Sequence, residues 1–327
     1  MQKTISIVNL KAIISNACLI KSLTKGKKFY AVVKADAYGH GGVEVALCLE
    51  SIVDGFCVAI VDEGVALRVA GITKEILVFA PPISYDDVVM CNFYSLTPTV
   101  NSIHTAKLIN GLPCHIKINS GMNRYGCNID ELDGVLKELD ASQIVGVYSH
   151  LYAPNDDLSV KNQQKIFDVA VEKVKAKNDR AIAHLVASGG ILRGDCLYNG
   201  VRCGICLYGY APEGFKLFGL KKALKVYAPI VQNTTFCGGG AGYAKAEKVY
   251  NILHTVRLGY ADGFNRICPL GIGNLCMDAF VSEGICGDTG SLVCILDDAE
   301  VYAKRLNTIC YEVLCNVTRR SARIYER

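Results

Sequence analysis

Five apolar runs in this 327-residue chain end on or just before a polar side chain. Lys34 closes "FYAVVK". Lys117 lies late in "CHIKI", with Asn119 and Arg124 in the following loop, "NSGMNRYG". His150 ends "GVYSH", His184 and Ser188 flank the end of "AHLVAS", and Arg202 ends "GVR". One such residue could decorate a surface. Five strand ends doing so together are hard to explain by packing. The residue types also suit one ligand. Gly204 and Ile205, just after Arg202, can bring backbone N–H groups close to an anion, Ser188 adds a hydroxyl and Tyr38 a phenol. A lysine that is buried near other cations loses proton affinity and becomes a Schiff-base former. Lysine, phosphate cradle and an arginine facing a ring together point to pyridoxal phosphate.

Such groups need elements that converge them. Apolar, β-branched runs predict strands at Phe29–Lys34, Phe56–Ile60, Ile76–Ala80, Tyr94–Leu96, Cys114–Ile118, Ile144–Ser149, Ile182–Val186 and Tyr198–Arg202. Helical stretches lie between them. "VEVALCLES" follows the first strand, and "SVKNQQKIFDVAVEKVKAKN" precedes the seventh, with Ile166, Val169, Ala170 and Val174 expected on one face. This alternation reads as α/β, a (β/α)8 TIM-type barrel whose chemistry belongs at the C-terminal strand ends. After Gly219 the texture changes to strand-like runs such as "SLVCILDDAEVYA" and "VLCNVTRRSARIY". The expected division is a barrel over 9–219 and a mostly β C-terminal domain over 220–327, with residues 1–8 able to pair with it. The glycines at 238–240 read as a hairpin turn, since no GK[ST] ending follows.

Composition narrows the classes. A hydrophobic fraction of 51% supports a sizeable core, and no apolar run reaches the length of a membrane span. The formal charge of +4 gives no charge-based case for a nucleic-acid or lipid surface. The N-terminal stretch shows no compact apolar segment with a small-residue cleavage site, so a cytoplasmic protein is expected. Most of the sixteen cysteines sit within apolar runs and read as small buried hydrophobes in a reducing compartment. Cys203 and Cys206 have CxxC spacing, but no second pair completes a zinc site, and no metal is expected.

"AVVKADAYGHG", "KINSGMNRYG", "SHLYAPND", "AHLVASGG", "VRCGICLYG", "RLGYADGFNR" and "LCMD" together resemble, in order, the blocks of the PLP-dependent alanine racemase family. The resemblance implies roles residue by residue. Lys34 matches the lysine that binds the cofactor and serves as one base; Tyr260 matches the second base on the opposite face. Tyr38, Ser188, Gly204, Ile205 and Tyr311 match phosphate ligands. Arg202 matches the partner of the pyridine nitrogen, His184 its support, and His150 the histidine at the catalytic tyrosine. Arg124 matches the arginine near the substrate carboxylate, and Lys117 a lysine often carbamylated to orient it. Met277 and Asp278 match a pair that, with Tyr260, is donated across a homodimer interface. A small amino acid is the implied substrate. On this reading His150 and Arg202 supply the positive surroundings that make a phenol a useful base.

The chain departs from the family between Tyr260 and Met277, which are closer than usual, and Asn274 stands where an arginine is usual. A more open, less cationic entrance and a looser dimer are expected. Tyr311 resembles the residue of the alanine-type members, where serine-preferring relatives carry a smaller one, so alanine is the expected substrate over serine. A serine or broad-specificity racemase, and a non-enzymatic PLP-binding barrel of cofactor homeostasis, stay as alternatives. The latter proteins generally lack the β domain and its tyrosine.

Overall fold

The computed structural model describes residues 3–109, 111–265, 268 and 270–327. They form two compact units. One comprises residues 14–37 and 42–221, the other residues 1–13, 38–41 and 222–327.

The first strand, β1 (Ile5–Asn9), belongs to the second unit. The first unit is the barrel: β2 (Lys28–Val32), β3 (Gly55–Val58), β4 (Glu75–Val78), β5 (Thr99–Val100), β6 (Cys114–Lys117), β7 (Ile144–Tyr148), β8 (Ile182–His184) and β9 (Gly200–Cys203). All pairings are parallel, β4-β3-β2-β9 and β5-β6-β7-β8. A bridge between Leu77 and Thr97 joins the two sets on one side, and the Arg202 N–H to Val186 carbonyl bond at 3.1 Å joins them on the other. Outward residues such as Phe29, Ala31, Phe56, Ile76, Ile116, Val147 and Val201 are buried, because parallel strands here are covered on both faces.

Two sequence expectations are corrected here. The fourth strand is Thr99–Val100, not Tyr94–Leu96. The apolar residues before it belong to the helix Tyr85–Phe93, which Ser84 and Asp87 open with a capping box and Tyr94 ends. In the long helix Asp157–Lys177, the buried face carries Val160, Gln163, Phe167, Ala170 and Val174. Ile166 and Val169 lie outside it and are exposed. A face drawn one residue earlier captured two flanking apolar residues and missed Phe167.

The second unit is built on β10 (Leu224–Thr235). The short hairpin β11 (Gly240–Ala241) and β12 (Ala244–Lys245) follows, then β13 (Ile252–Val256), β14 (Phe280–Ser282), β15 (Leu292–Leu296) and β16 (Ala322–Glu326). β10 pairs antiparallel with β1, β13 and β15, and β1 pairs parallel with β16. The glycine run does feed a hairpin. The run "SLVCILDDAEVYA" is strand only to Leu296. Asp298 then caps a helix over Ala299–Arg305, and a second helix covers Cys310–Asn316.

Candidate active site

Lys34 follows β2 and is half-buried. Its neighbours Ala35, Asp36 and Ala37 have φ/ψ near 52/50, 54/46 and 54/48, and Tyr38 continues at φ 52. Four consecutive non-glycine residues in the left-handed region make one left-handed turn. Each costs roughly 1–2 kcal/mol, so the surroundings must hold it. Glu63 does so from the barrel: Oε1 accepts the Ala35 amide at 2.6 Å and Oε2 the Ala59 amide at 2.7 Å. The Asp36 carboxylate accepts the Gly42 amide at 2.6 Å.

Lys117 ends β6 and is buried. Burial, then Arg202 and Arg124, hold its amine well below the usual lysine range. Its Nζ lies 4.5 Å from the centre of the Tyr148 ring. The Tyr148 hydroxyl is tied to Thr99 Oγ1 at 2.7 Å. Arg124 is exposed on a loop that Asn119 folds by accepting the amides of Gly121 and Asn123.

Arg202 is buried and held by four hydrogen bonds. Nη1 donates to His184 Nδ1 and to the His184 carbonyl, both at 2.6 Å. Nη2 donates to the carbonyls of Ser149 at 2.6 Å and Leu185 at 3.0 Å. Four of the five guanidinium donors are thereby used. The fifth, Nε–H, meets no acceptor among the described residues, which leaves it for a ligand.

His150 is held well below the ordinary imidazole value by burial and by Arg202, Lys117, Arg124 and Lys34. It is neutral at pH 7. His150 therefore adds no positive charge of its own, because burial and the basic groups facing it disfavour its protonation. His184 is likewise kept neutral, by burial and then Arg202, His115 and Lys117.

At the ends of β8 and β9, the Gly204 N–H donates to Ser188 Oγ at 3.1 Å, and Cys203 Sγ lies 3.8 Å from the same hydroxyl. Ser188, Gly204 and Ile205 thus form one buried cluster. Gly204's amide is engaged within it, where the sequence suggested an amide open to an anion. No cluster of three or more His, Cys, Asp or Glu suits a metal among the described residues.

The second unit assembles its own set. The rings of Tyr38 and Tyr311 lie 6.0 Å apart. The Tyr260 amide donates to the Cys276 carbonyl at 3.1 Å, and the Ala261 amide to the Met277 carbonyl at 3.0 Å. A Cβ on Gly259 would lie 2.2 Å from the Met277 carbonyl oxygen, so only glycine permits this approach. Arg320 joins the two segments, with Nη1 2.7 Å from Asp278 and Nε 3.6 Å from Asp262. Tyr260 and Met277 lie on adjoining segments and are 42% and 54% exposed. The shortened segment between them includes Arg266, Ile267 and Pro269, which lie outside the described residues.

Residues 8–212 match the family profile described as alanine racemase, N-terminal domain, and residues 223–325 that of the alanine racemase C-terminal domain. The chain belongs to the alanine racemase family. An alanine racemase of Streptococcus agalactiae is 32% identical over 371 aligned residues, covering 98% of each chain. The solved alanine racemase of Clostridium difficile 630 superposes with a TM-score of 0.88 at 30% identity, covering 100% of this chain and 96% of its own. That of Bacillus anthracis, with bound L-Ala-P, gives 0.86 at 29% identity over 100% and 96%.

The family is PLP-dependent, and the residues present fit that cofactor. Arg202 has one donor to spare and cannot lose its proton, so it suits a neutral pyridine nitrogen. Lys34 at the strand end carries a primary amine, the group that links to the cofactor's aldehyde when bound. Ser188, Gly204 and Ile205 are the barrel's phosphate candidates.

Sequence reasoning missed Glu63, His115, Glu75, Tyr148 and Arg320. His115 was readable in principle, since it lies two residues before Lys117 on the same face of β6. Glu63 and Arg320 act through backbone amides and loop carboxylates far off in sequence, and a single chain carries no mark of that.

Proposed function

We propose that this protein interconverts L- and D-alanine by two-base, pyridoxal-phosphate-dependent racemisation in a homodimer, supplying D-alanine for peptidoglycan. The observation that carries the reading is Tyr260: an exposed tyrosine whose backbone is held beside the Cys276–Met277 segment, on a second unit that cofactor-storage barrels generally lack.

Bound pyridoxal phosphate supplies the electron sink that acidifies the substrate Cα–H. The chain's residues do the rest. Lys34 Nζ holds or moves a proton on one face, and the partner subunit's Tyr260 Oη does so on the other. Arg202, with Nε–H not used by the protein and no proton to give up, would hold the ring at its nitrogen and leave that nitrogen unprotonated, which would suppress side reactions such as transamination. Arg124 takes the substrate carboxylate. Lys117, whose amine is held well below the usual lysine range by burial and then by Arg202 and Arg124, is suited to add carbon dioxide as a carbamate, releasing a proton, and so to pair with Arg124. Tyr38 and Tyr311 complete the phosphate ligands. Tyr311 also crowds the side-chain pocket and favours alanine. The short segment between Tyr260 and Met277, with Asn274 in place of an arginine, gives a more open, less cationic entrance. All sixteen cysteines are free thiols, which suits a reducing cytoplasm.

The test is the absorbance of the purified protein with pyridoxal phosphate, followed by an assay of L-alanine coupled to a D-amino-acid oxidase. The reading predicts a lysine-linked cofactor band lost in Lys34→Ala and steady D-alanine production. Cofactor binding with no racemisation of alanine, serine or lysine would instead favour the storage barrel.

A further inference from the structure

Inside the barrel, the Arg202–His184 pair continues to groups the mechanism above does not use. His184 Nε2 lies 2.8 Å from His115 Nδ1, and His115 Nε2 lies 2.9 Å from Glu75 Oε1. The other carboxylate oxygen, Oε2, accepts the Tyr30 hydroxyl at 2.9 Å.

The ends of this series decide its direction. A guanidinium only donates, so His184 Nδ1 accepts and its proton sits on Nε2. His115 Nδ1 must then accept, and its proton also sits on Nε2. That proton needs an acceptor, and an ionised carboxylate is acceptor only. Glu75 is held ionised: burial pushes its pKa up, but the bonds from His115 and Tyr30 and the charge of Lys28 bring it below the usual range. Donor-only at one end and acceptor-only at the other leave one tautomer for each ring.

The surroundings are shaped for these rings. His184 is sandwiched between Tyr30, at 5.5 Å and 22°, and Tyr148, at 5.0 Å and 7°. A Cβ on Gly146 would lie 2.4 Å from the His115 ring, and one on Gly55 2.8 Å from the Tyr30 ring. Branched aliphatic residues ordinarily fill such a layer.

We propose that Glu75 is a positioning residue for Arg202, acting through His115 and His184 to fix which guanidinium donors are used inside the barrel and which one faces the cofactor ring. This rests on Arg202 being the ring partner. Glu75 would set the hydrogen-bond direction without touching cofactor or substrate.

The experiment compares wild type, Glu75→Gln and Glu75→Met by nitrogen NMR of the histidine rings and by cofactor absorbance and affinity. Glutamine keeps an acceptor for His115, so both rings should stay Nε2-protonated and the cofactor spectrum unchanged. Methionine removes the acceptor. Mixed tautomers at His115 and His184, a shifted absorbance and a loss of about 10–100-fold in kcat/KM are expected, the scale seen when a supporting group behind a ligand-holding residue is removed. A Glu75→Met protein with wild-type ring tautomers and cofactor spectrum would overturn the proposal, whatever its melting temperature. If Glu75→Met fails to fold, Glu75→Gln decides, because a change in its ring tautomers equally contradicts an acceptor role. Should wild type bind no pyridoxal phosphate, the ring-partner reading fails and the proposal with it, while the tautomers still report whether the relay exists.

Discussion

Glu63 Oε1 accepts the amide of Ala35, the residue after Lys34, at 2.6 Å, while Oε2 holds the amide of Ala59. One carboxylate therefore ties the left-handed turn that carries the lysine to the end of the neighbouring strand. Glu63→Ala removes both acceptors and frees a turn whose backbone is already costly. A stability loss of about 1–3 kcal/mol in urea unfolding is expected, together with slower reaction of Lys34 with added pyridoxal phosphate. Glu63→Gln, which keeps only one oxygen acceptor, should fall between.

Arg320 bridges Asp262 beside Tyr260 and Asp278 beside Met277. Arg320→Met should lower kcat roughly tenfold or more through misplacement of the phenol, with the cofactor absorbance unchanged because the barrel groups are intact. Absorbance and steady-state kinetics on one preparation check this.

His150 and His184 both have pKa values depressed in the folded state, by burial first and then by neighbouring cations. Below about pH 6.5 the unfolded chain binds protons that the native state refuses. Stability is therefore full above that value and falls as pH drops through it. Each histidine contributes about 1.4 kcal/mol of loss per pH unit in this window. Urea unfolding from pH 7.5 to 5.5 should show the fall, and the slope should be shallower in His150→Asn.

Lys117 should take up isotope-labelled bicarbonate as a carbamate visible by carbon NMR in wild type and absent in Lys117→Met. A wild-type protein with no such signal at full activity contradicts the carbamate role.

The barrel was legible because parallel strands covered on both faces write themselves as apolar runs, and Lys34, Lys117, His150 and Arg202 stood out at their ends. Thr99–Val100 was not legible: two residues carry too little pattern, and the preceding helix supplied stronger apolar signal. The helices over Ala299–Arg305 and Cys310–Asn316 were hidden by Val, Tyr and Cys residues of strand-like character. The turn after Lys34 was also hidden, since "ADAY" favours nothing left-handed by itself. Its conformation is imposed by Glu63 and the Asp36–Gly42 bond. The opposed roles proposed for Lys34 and Tyr260 rest on resemblance alone, and the structure adds how the backbone at each is held.

The claim that two bases act on opposite faces has one direct test. Proton exchange at Cα and interconversion of L- and D-alanine are followed in deuterated water for wild type and Tyr260→Phe, both loaded with cofactor. Two-base chemistry predicts that Tyr260→Phe keeps its cofactor absorbance and still exchanges the proton of one enantiomer through Lys34, but no longer converts one enantiomer into the other. Conversion by Tyr260→Phe at a rate near that of wild type would contradict it.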